Sequence, residues 1–441
     1  MRRKILIVAV AGVIGTLALT GLVRPWRDAP GDVVPGDLER PWMWQATVGM
    51  DAPGRASVLA GGDTLGFRGT DLFDAEGKIA VVGRGGDYRM LLHGGWDTVA
   101  AGEDVLLSPD GRRVVRPPVD QDSLEVIDLE SGRSTFYPPP DFAAPPSSTQ
   151  APGWSGPVAW APDGRSVLAE VYAGDDTHLA LLDLETRAVQ PIGERILHWQ
   201  RRTASRAAFA PDGGHLAITA GNQVRLVDRT GKMVWAADLG DRAYLAGTGA
   251  FTPDGSKIAI AGLTGCLDDC DAAALAARSW TISYLDAATG KPAPGPSLPA
   301  VTGSAIRALG WSQGRDLVIL RYEPEDDAYR EARADAALTE WNDTGWQETA
   351  HITLLALPPS GTARTLLDPP DGVLTMDVSQ DLLQAGSFGG PTPAADPFPA
   401  RAIIWLTLVP VACLAVILTP AFFAVRRRLF PGTGDSPNKS H

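Results

Sequence analysis

The chain has 441 residues, of which 44% are apolar and 21% charged, so it can bury a core and is not disordered along its length. Its 48 glycines and 36 prolines show no period, which excludes collagen; with only 7% aromatic residues they favour many short strands and turns. Three cysteines exclude a disulfide-dense scaffold.

The first predicted element is a membrane helix at residues 5–23. This run is uncharged, spans about one bilayer thickness and follows three basic residues. A cleaved signal peptide is the alternative, although its apolar region usually has roughly 7–15 residues and the cleavage candidate near Ala18 is poor. We expect residues 1–4 to be cytoplasmic and residues 24–41 to be a linker.

A second membrane helix is predicted at residues 402–425, an uncharged run followed directly by three arginines. Both apolar runs have more basic residues on their terminal flank than on their inner flank, so the positive-inside rule places both termini in the cytoplasm. Residues 391–401 are expected to be a Pro-rich linker and residues 426–441 a cytoplasmic tail. The sequence thus predicts a multi-pass cell-membrane protein that contacts the lipid bilayer through two helices and has its middle on the extracytoplasmic side.

The charge of the middle agrees with that placement. Ten of the 39 basic residues but only one of the 52 acidic residues lie in or beside the two helices, which leaves the middle with a net charge of −22. Such an acidic body is repelled by nucleic acid and by anionic lipid heads. We expect no nucleic-acid partner.

Residues 42–390 contain a repeat. Four segments read apolar-x-apolar before Pro-Asp-Gly, and two degenerate copies lie near residues 309–315 and 376–381. In such a turn Pro presets φ, Asp bonds its own backbone and Gly supplies a positive φ, so each copy predicts a β-hairpin. The turn aspartates are interpreted as structural turn formers rather than ligands; they are Asp110, Asp163, Asp212 and Asp254.

An aromatic residue stands before the turn in four of the copies. Their alignment predicts that these side chains pack in the core of the strand that precedes each turn; they are Trp160, Phe209, Phe251 and Trp311. A second motif follows at a regular offset, in which an alternating strand ends in Asp and a Ser or Thr turn leads to a fourth short strand. Four strands per unit at a spacing of about 40–60 residues are typical of propeller blades.

The repeat resembles those of WD-repeat-like and TolB-like β-propeller proteins, whose blades carry an aromatic residue, Ser or Ala, and then Pro-Asp-Gly. The resemblance covers roughly residues 98–385. It implies an all-β propeller of four-stranded antiparallel sheets, flanked here by one transmembrane helix at each end. It says little about function, because this fold hosts binding proteins, sensors and enzymes alike.

The ring should close with strands from both chain ends. Five units can be laid out completely, and the unit near residues 374–387 lacks strands. The missing strands are expected in the N-terminal part, near residues 57–59, 79–82 and 88–93. Because residues 40–97 and 371–390 together amount to about two blades, we expect seven blades, with six as the alternative.

Cys266 and Cys270 are the disulfide candidate, since they are expected outside the cytoplasm and are separated by only four positions. A metal site with the neighbouring aspartates is the alternative. Gly310-Trp311-Ser312-Gln313-Gly314 matches the G-x-S-x-G nucleophile elbow, and His93 lies in a segment like an oxyanion loop. Both lack the strand-to-helix context, so we predict no catalytic residue. None of the six histidines pairs with another at metal-ligand spacing, and we predict no metal site and no cofactor.

These observations favour a membrane-anchored extracytoplasmic propeller that acts as a binding or scaffold module for a protein or cell-envelope partner, and not as an enzyme. One alternative is a hydrolase or lyase that uses the propeller funnel, which would need convergent His, Glu or Arg residues in several blades. Another is the sensor subunit of a membrane complex. Such a sensor would need a membrane partner to carry the signal, because cytoplasmic segments of about four and 16 residues hold no signalling domain. The sequence does not name the partner.

Overall fold

The structure is a computed structural model. It describes residues 31–41, 45–62, 78–91, 100–117, 123–140, 153–173, 176–192, 207–267, 270–325, 349–393, 395, 411, 418 and 419. The chain divides into two compact units, Ala29–Pro397 and the pair of segments Met1–Asp28 and Phe398–His441. Apart from three residues, the predicted membrane helices lie outside the described residues. Within the described residues, no helix has the length and apolar character needed to cross a membrane.

The described part of Ala29–Pro397 is built almost entirely from short strands. The N-terminal strands are β1 (Val34–Pro35), β2 (Ala56–Gly62), β3 (Lys78–Gly83), β4 (Tyr88–Leu91), β5 (Leu106–Leu107), β6 (Arg113–Arg116), β7 (Leu124–Asp128) and β8 (Arg133–Tyr137). The next are β9 (Gly153–Trp160), β10 (Ser166–Ala173), β11 (Asp176–Asp183), β12 (Val189–Ile192), β13 (Ala207–Phe209), β14 (His215–Ala220), β15 (Gln223–Asp228) and β16 (Met233–Asp238).

The C-terminal half adds eleven strands and two short helices to the described residues. The strands are β17 (Ala243–Leu245), β18 (Lys257–Thr264), β19 (Ser279–Asp286), β20 (Pro292–Ala293), β21 (Val301–Thr302), β22 (Ala305–Ser312), β23 (Asp316–Pro324), β24 (Thr349–Leu357), β25 (Arg364–Leu367), β26 (Thr375–Val378) and β27 (Phe388–Gly390). The helices are α1 (Ala272–Ala276) and α2 (Gln380–Ala385).

These strands form a six-bladed propeller of antiparallel sheets. Blades 2 to 6 use consecutive strands, β5–β8, β9–β12, β13–β16, β17–β20 and β22–β25, and β21 pairs with β19 beside blade 5. Blade 1 has the order β26-β2-β3-β4, so one strand comes from the C-terminal side and three from the N-terminal side. Val58 lies opposite Val378 in this pairing. The prediction that both chain ends close the ring is confirmed.

The expectation of seven blades is wrong, because six four-stranded sheets use all the blade strands among the described residues. The segment after β26 does not continue as a strand but forms helix α2, which is capped at its C-terminus by Gly386 with φ +70°. The next strand, β27, pairs in parallel with β1 and adds no blade. Residues 40–97 therefore supply only three blade strands within their described part.

Each Pro-Asp-Gly segment closes the hairpin between the first and second strands of a blade. In blade 3 the Gly164 N–H donates to the Ala161 carbonyl at 2.9 Å, and Gly164 has φ +65°, a conformation that a Cβ disfavours. All four turn aspartates accept hydrogen bonds inside their own turns. The Thr252 and Ser256 hydroxyls and the Ser256 N–H lower the pKa of Asp254 to about 2.

Apolar side chains fill the space between neighbouring blades. Leu59 of blade 1 and Leu107 of blade 2 belong to one buried cluster, and Leu320 of blade 6 shares another with Val82 of blade 1. The other neighbouring blades share buried clusters in the same way. A single blade cannot cover both of its faces, so the core is complete only when the ring is complete.

A buried arginine joins three blades where the ring closes. Arg307, on β22 of blade 6, is 3% exposed, and its Nη2 donates to the Met376 carbonyl of β26 at 2.6 Å. Its Nη1 donates to the Gly102 carbonyl ahead of blade 2, and its Nε donates to the Tyr322 hydroxyl at 3.1 Å. That hydroxyl donates to Glu103 Oε1 at 3.0 Å. One guanidinium therefore holds buried groups of blades 6, 1 and 2 together.

We predict that Arg307→Met lowers the free energy of unfolding by about 3–5 kcal/mol, because the Met376 and Gly102 carbonyls and the Tyr322 hydroxyl lose this buried donor. Chemical denaturation of the purified full-length protein measures this change. Arg133→Met, at an exposed position on β8, is the matched control and should change the free energy by less than about 0.5 kcal/mol. Equal stability of the two variants would contradict the role of Arg307 in closing the ring.

Candidate functional site: the axial cavity

All six blades surround a cavity of 610 Å³. Blades 2 to 6 contribute the ends of their first strands and the turns or loops next to them, and blade 1 contributes Asp377 of β26. Helix α2 adds Gln380, Asp381 and Gln384. Concave pockets of this size are the usual places where proteins bind ligands, so this axial cavity is the candidate site.

Four aromatic side chains line one side of the axial cavity. Trp160, Phe209, Phe251 and Trp311 belong to four consecutive blades, 3 to 6, and stand directly before the first turn of each. Each lies opposite an apolar residue of the neighbouring strand. The sequence predicts a strand-core position for them. The structure places them both in the packed first strands and on the cavity wall, and the sequence did not indicate the second role.

Three carboxylates line the axial cavity on the side of the other two blades. Asp110 belongs to the first turn of blade 2, Asp377 to β26 of blade 1, and Asp381 to helix α2. Asp381 pairs with Arg84 at 2.6 Å, and Asp110 accepts hydrogen bonds from a serine hydroxyl and a backbone N–H. Among the described residues that line the cavity there is no lysine, arginine or histidine. The wall is therefore acidic on one side and aromatic on the other.

Asp377 is held firmly in place. Its Oδ2 accepts the Leu107 N–H at 2.9 Å and its Oδ1 accepts the Val378 N–H at 2.9 Å. Burial raises the pKa of Asp377, while the nearby Arg307 and the two N–H groups act in the opposite direction. Sequence reasoning missed both Asp377 and Arg307 as site residues. The available signal was a charged residue inside an otherwise apolar strand, which is informative because buried charges are rare.

Ser312 does not lie in a nucleophile elbow. It ends β22, and the next strand, β23, pairs antiparallel with β22 through a tight hairpin. The elbow requires a strand, a sharp turn and a helix, and this segment is strand, turn and strand. His93, the other residue of the hydrolase-like pattern, lies outside the described residues.

Cys266 and Cys270 form a disulfide in the connection between β18 and β19, directly before helix α1. The buried Arg278 donates to the Cys266 carbonyl at 2.9 Å and to the Leu267 carbonyl at 2.8 Å, which fixes the same loop. The two aspartates between the cysteines lie outside the described residues. In the part of the chain that the structure describes, no three His, Cys, Asp or Glu side chains are grouped so as to hold a metal ion.

No protein-family model and no curated protein matches this chain. Similar solved structures include hydrazine synthase from Kuenenia stuttgartiensis, at 16% identity and TM-score 0.36, where the match covers 62% of this chain and 67% of that one. TolB from Acinetobacter baumannii matches at 14% identity and TM-score 0.37, over 74% of this chain and 65% of the TolB chain. The propeller domain of the Trilobed protease from Pyrococcus furiosus matches at 12% identity and TM-score 0.33, over 62% and 70%. Likeness at this level says nothing about activity or partners.

We predict that Trp311→Ala lowers the free energy of unfolding by about 3–5 kcal/mol, because this large side chain is 5% exposed and belongs to a buried cluster. Ser312→Ala should cost at most about 1 kcal/mol, since Ala161 and Ala210 already occupy the equivalent position in two blades. Denaturation of both variants measures these changes. Labelling of the protein by a fluorophosphonate probe that disappears in a stably folded Ser312→Ala variant would contradict the structural interpretation of Ser312.

Proposed function

We propose that the protein is a membrane-anchored extracytoplasmic β-propeller that binds or scaffolds a protein or cell-envelope partner through the axial cavity. The observation that carries the proposal is the 610 Å³ cavity to which every blade contributes. Its aromatic side chains offer a rigid apolar surface and its aspartates offer fixed acceptors, the combination that ligand sites commonly use. The apolar contacts and hydrogen bonds that a ligand requires can therefore come from these wall side chains.

The membrane part of the proposal is supported by the sequence. Residues 5–23 and 402–425 are uncharged apolar runs, and the basic residues beside them favour cytoplasmic termini. The net charge of −22 between them suits a body that lies away from anionic lipid heads. The partner would then be another protein or a component of the cell envelope.

The binding function is tested by narrowing the axial cavity. Thr248 lines it, so Thr248→Trp should fill part of the space, whereas Thr302→Trp adds the same bulk at an exposed position on β21. Full-length protein and both variants are crosslinked in cells, solubilised in mild detergent, captured by an affinity tag and analysed by quantitative mass spectrometry. We expect a partner recovered with the parent protein and Thr302→Trp but reduced at least about tenfold with Thr248→Trp. Equal recovery with both variants would contradict binding through the cavity.

The proposed topology is tested by reporter fusions. Gly221 lies in an exposed turn between β14 and β15, where an insertion disturbs no strand. We predict that alkaline phosphatase fused after Gly221 is active in intact cells, because the propeller lies outside the cytoplasm. An inactive phosphatase in cells that accumulate the full-length fusion would contradict the extracytoplasmic location.

A further inference from the structure

We infer that the axial cavity recognises an organic cation, a guanidinium or ammonium group whose apolar stem lies against the aromatic side of the wall. This inference rests on the proposed binding function and names the chemistry of the ligand. A lysine or arginine side chain of a partner peptide and a free polyamine share this chemistry.

The cavity wall is divided into two chemically different halves. The aromatic residues come from blades 3 to 6, whereas the carboxylates come from blades 1 and 2 and from helix α2. The repeat does not impose this arrangement. Asp163 and Asp212 occupy the same turn position as Asp110 but are not part of the wall, and blade 2 has Leu107 where blades 3 to 6 have an aromatic ring. The division is therefore a property of the cavity.

The carboxylates of the cavity wall outnumber the cationic groups that neutralise them. Arg84 pairs with Asp381 but is shared with a second aspartate. Arg307 directs its N–H groups to backbone carbonyls and a tyrosine hydroxyl, and its one positive charge is shared between Asp377 and Glu103. Asp110 and Asp377 accept hydrogen bonds only from backbone N–H groups and one hydroxyl within the described structure. A concave wall with more carboxylates than cationic side chains focuses a negative potential into the cavity. A cation is attracted by that potential, and aromatic rings add to the attraction.

One hydrogen-bond donor on the aromatic side of the wall has no acceptor in the part of the chain that the structure describes. Trp311 lines the cavity, is 5% exposed, and its Nε1–H has no acceptor among the described residues. The equivalent Trp160 donates its Nε1–H to the Leu106 carbonyl at 3.2 Å. A buried donor without an acceptor is costly. A ligand that brings a carbonyl beside its cation and displaces the atoms covering this N–H would relieve the cost at Trp311. An arginine or lysine residue within a peptide has both groups.

The test is isothermal titration calorimetry on the full-length protein in detergent. The probes are N-acetyl-arginine amide, its uncharged analogue N-acetyl-citrulline amide, and spermidine, which has the cation without a carbonyl. We expect the arginine probe to bind at least about tenfold more tightly than the citrulline probe, because only the first carries a charge. Binding of spermidine that is weaker than that of the arginine probe supports a peptide as the source of the cation. Tighter binding of spermidine supports the cation site and assigns it to a free polyamine.

The matched variants replace aspartates at the same position of the Pro-Asp-Gly turn in two blades. Asp110→Asn removes charge from the wall, whereas Asp163→Asn removes the same charge from the equivalent turn of blade 3, outside the cavity. Asp110→Asn and Asp377→Asn should each weaken arginine binding at least about tenfold, and Asp163→Asn should change it less than about twofold. Thermal denaturation checks folding. Should Asp377→Asn not fold, Asp381→Asn on helix α2 takes its place with the same expectation.

Equal affinity for the arginine and citrulline probes would overturn the cation assignment, and so would equal losses in Asp110→Asn and Asp163→Asn. The crosslinking experiment separates the two proposals. The same crosslinking is carried out on Asp110→Asn and Asp377→Asn. If partner recovery is lost in Thr248→Trp but kept in these two variants, the binding function stands and the cation site is wrong. If the arginine probe binds as expected but no partner is recovered, the cation site stands and the scaffold function is wrong.

Discussion

The pairing of β26 with β2 is the contact on which the rest of the structure depends. Every blade packs against a neighbour on each side, so an open ring would leave two blades with uncovered apolar faces. The two strands that meet here come from opposite ends of the propeller sequence, with Val58 opposite Val378. Bringing them together costs loop-closure entropy that only the completed ring repays. The buried Arg307 then links blade 6 to the carbonyls on both sides of the closure.

The same closure contributes to the asymmetry of the axial cavity. Blades 3 to 6 each present an aromatic residue before the first turn and blade 2 has Leu107 there, whereas blade 1 is assembled from two distant segments and departs from the repeat. In blade 1, β26 supplies Asp377, and the chain then turns into helix α2 in place of a Pro-Asp-Gly hairpin. The structural solution for closing the ring thus also places carboxylates on the cavity wall. Fold and candidate site share residues, so substitutions near the closure affect both.

Much of the fold could be predicted from sequence because its turns depend on local chemistry. Pro-Asp-Gly sets a hairpin wherever it occurs, and the strands around it follow from alternation. The blade number could not be obtained this way, because residues 380–385 become a helix that packs beside β22 rather than another strand. The roles of Arg307 and Asp377 depend on which strands meet across the ring, and the sequence offers only a charge inside an apolar strand as a signal. The membrane helices stay a prediction from the sequence.

Ring closure by strands from both chain ends is tested most directly by a cysteine pair at its centre. Val58→Cys with Val378→Cys places two thiols on residues that face each other across β2 and β26, and Leu168→Cys with Leu181→Cys does the same inside blade 3 as a positive control. Cβ atoms of opposed residues in neighbouring strands lie about 4.5–5.5 Å apart, close enough for a disulfide after a small adjustment. After oxidation, peptide mapping by mass spectrometry should find an intramolecular 58–378 crosslink as readily as the 168–181 crosslink. Formation of the control crosslink without any 58–378 crosslink would contradict closure of the ring by β2 and β26.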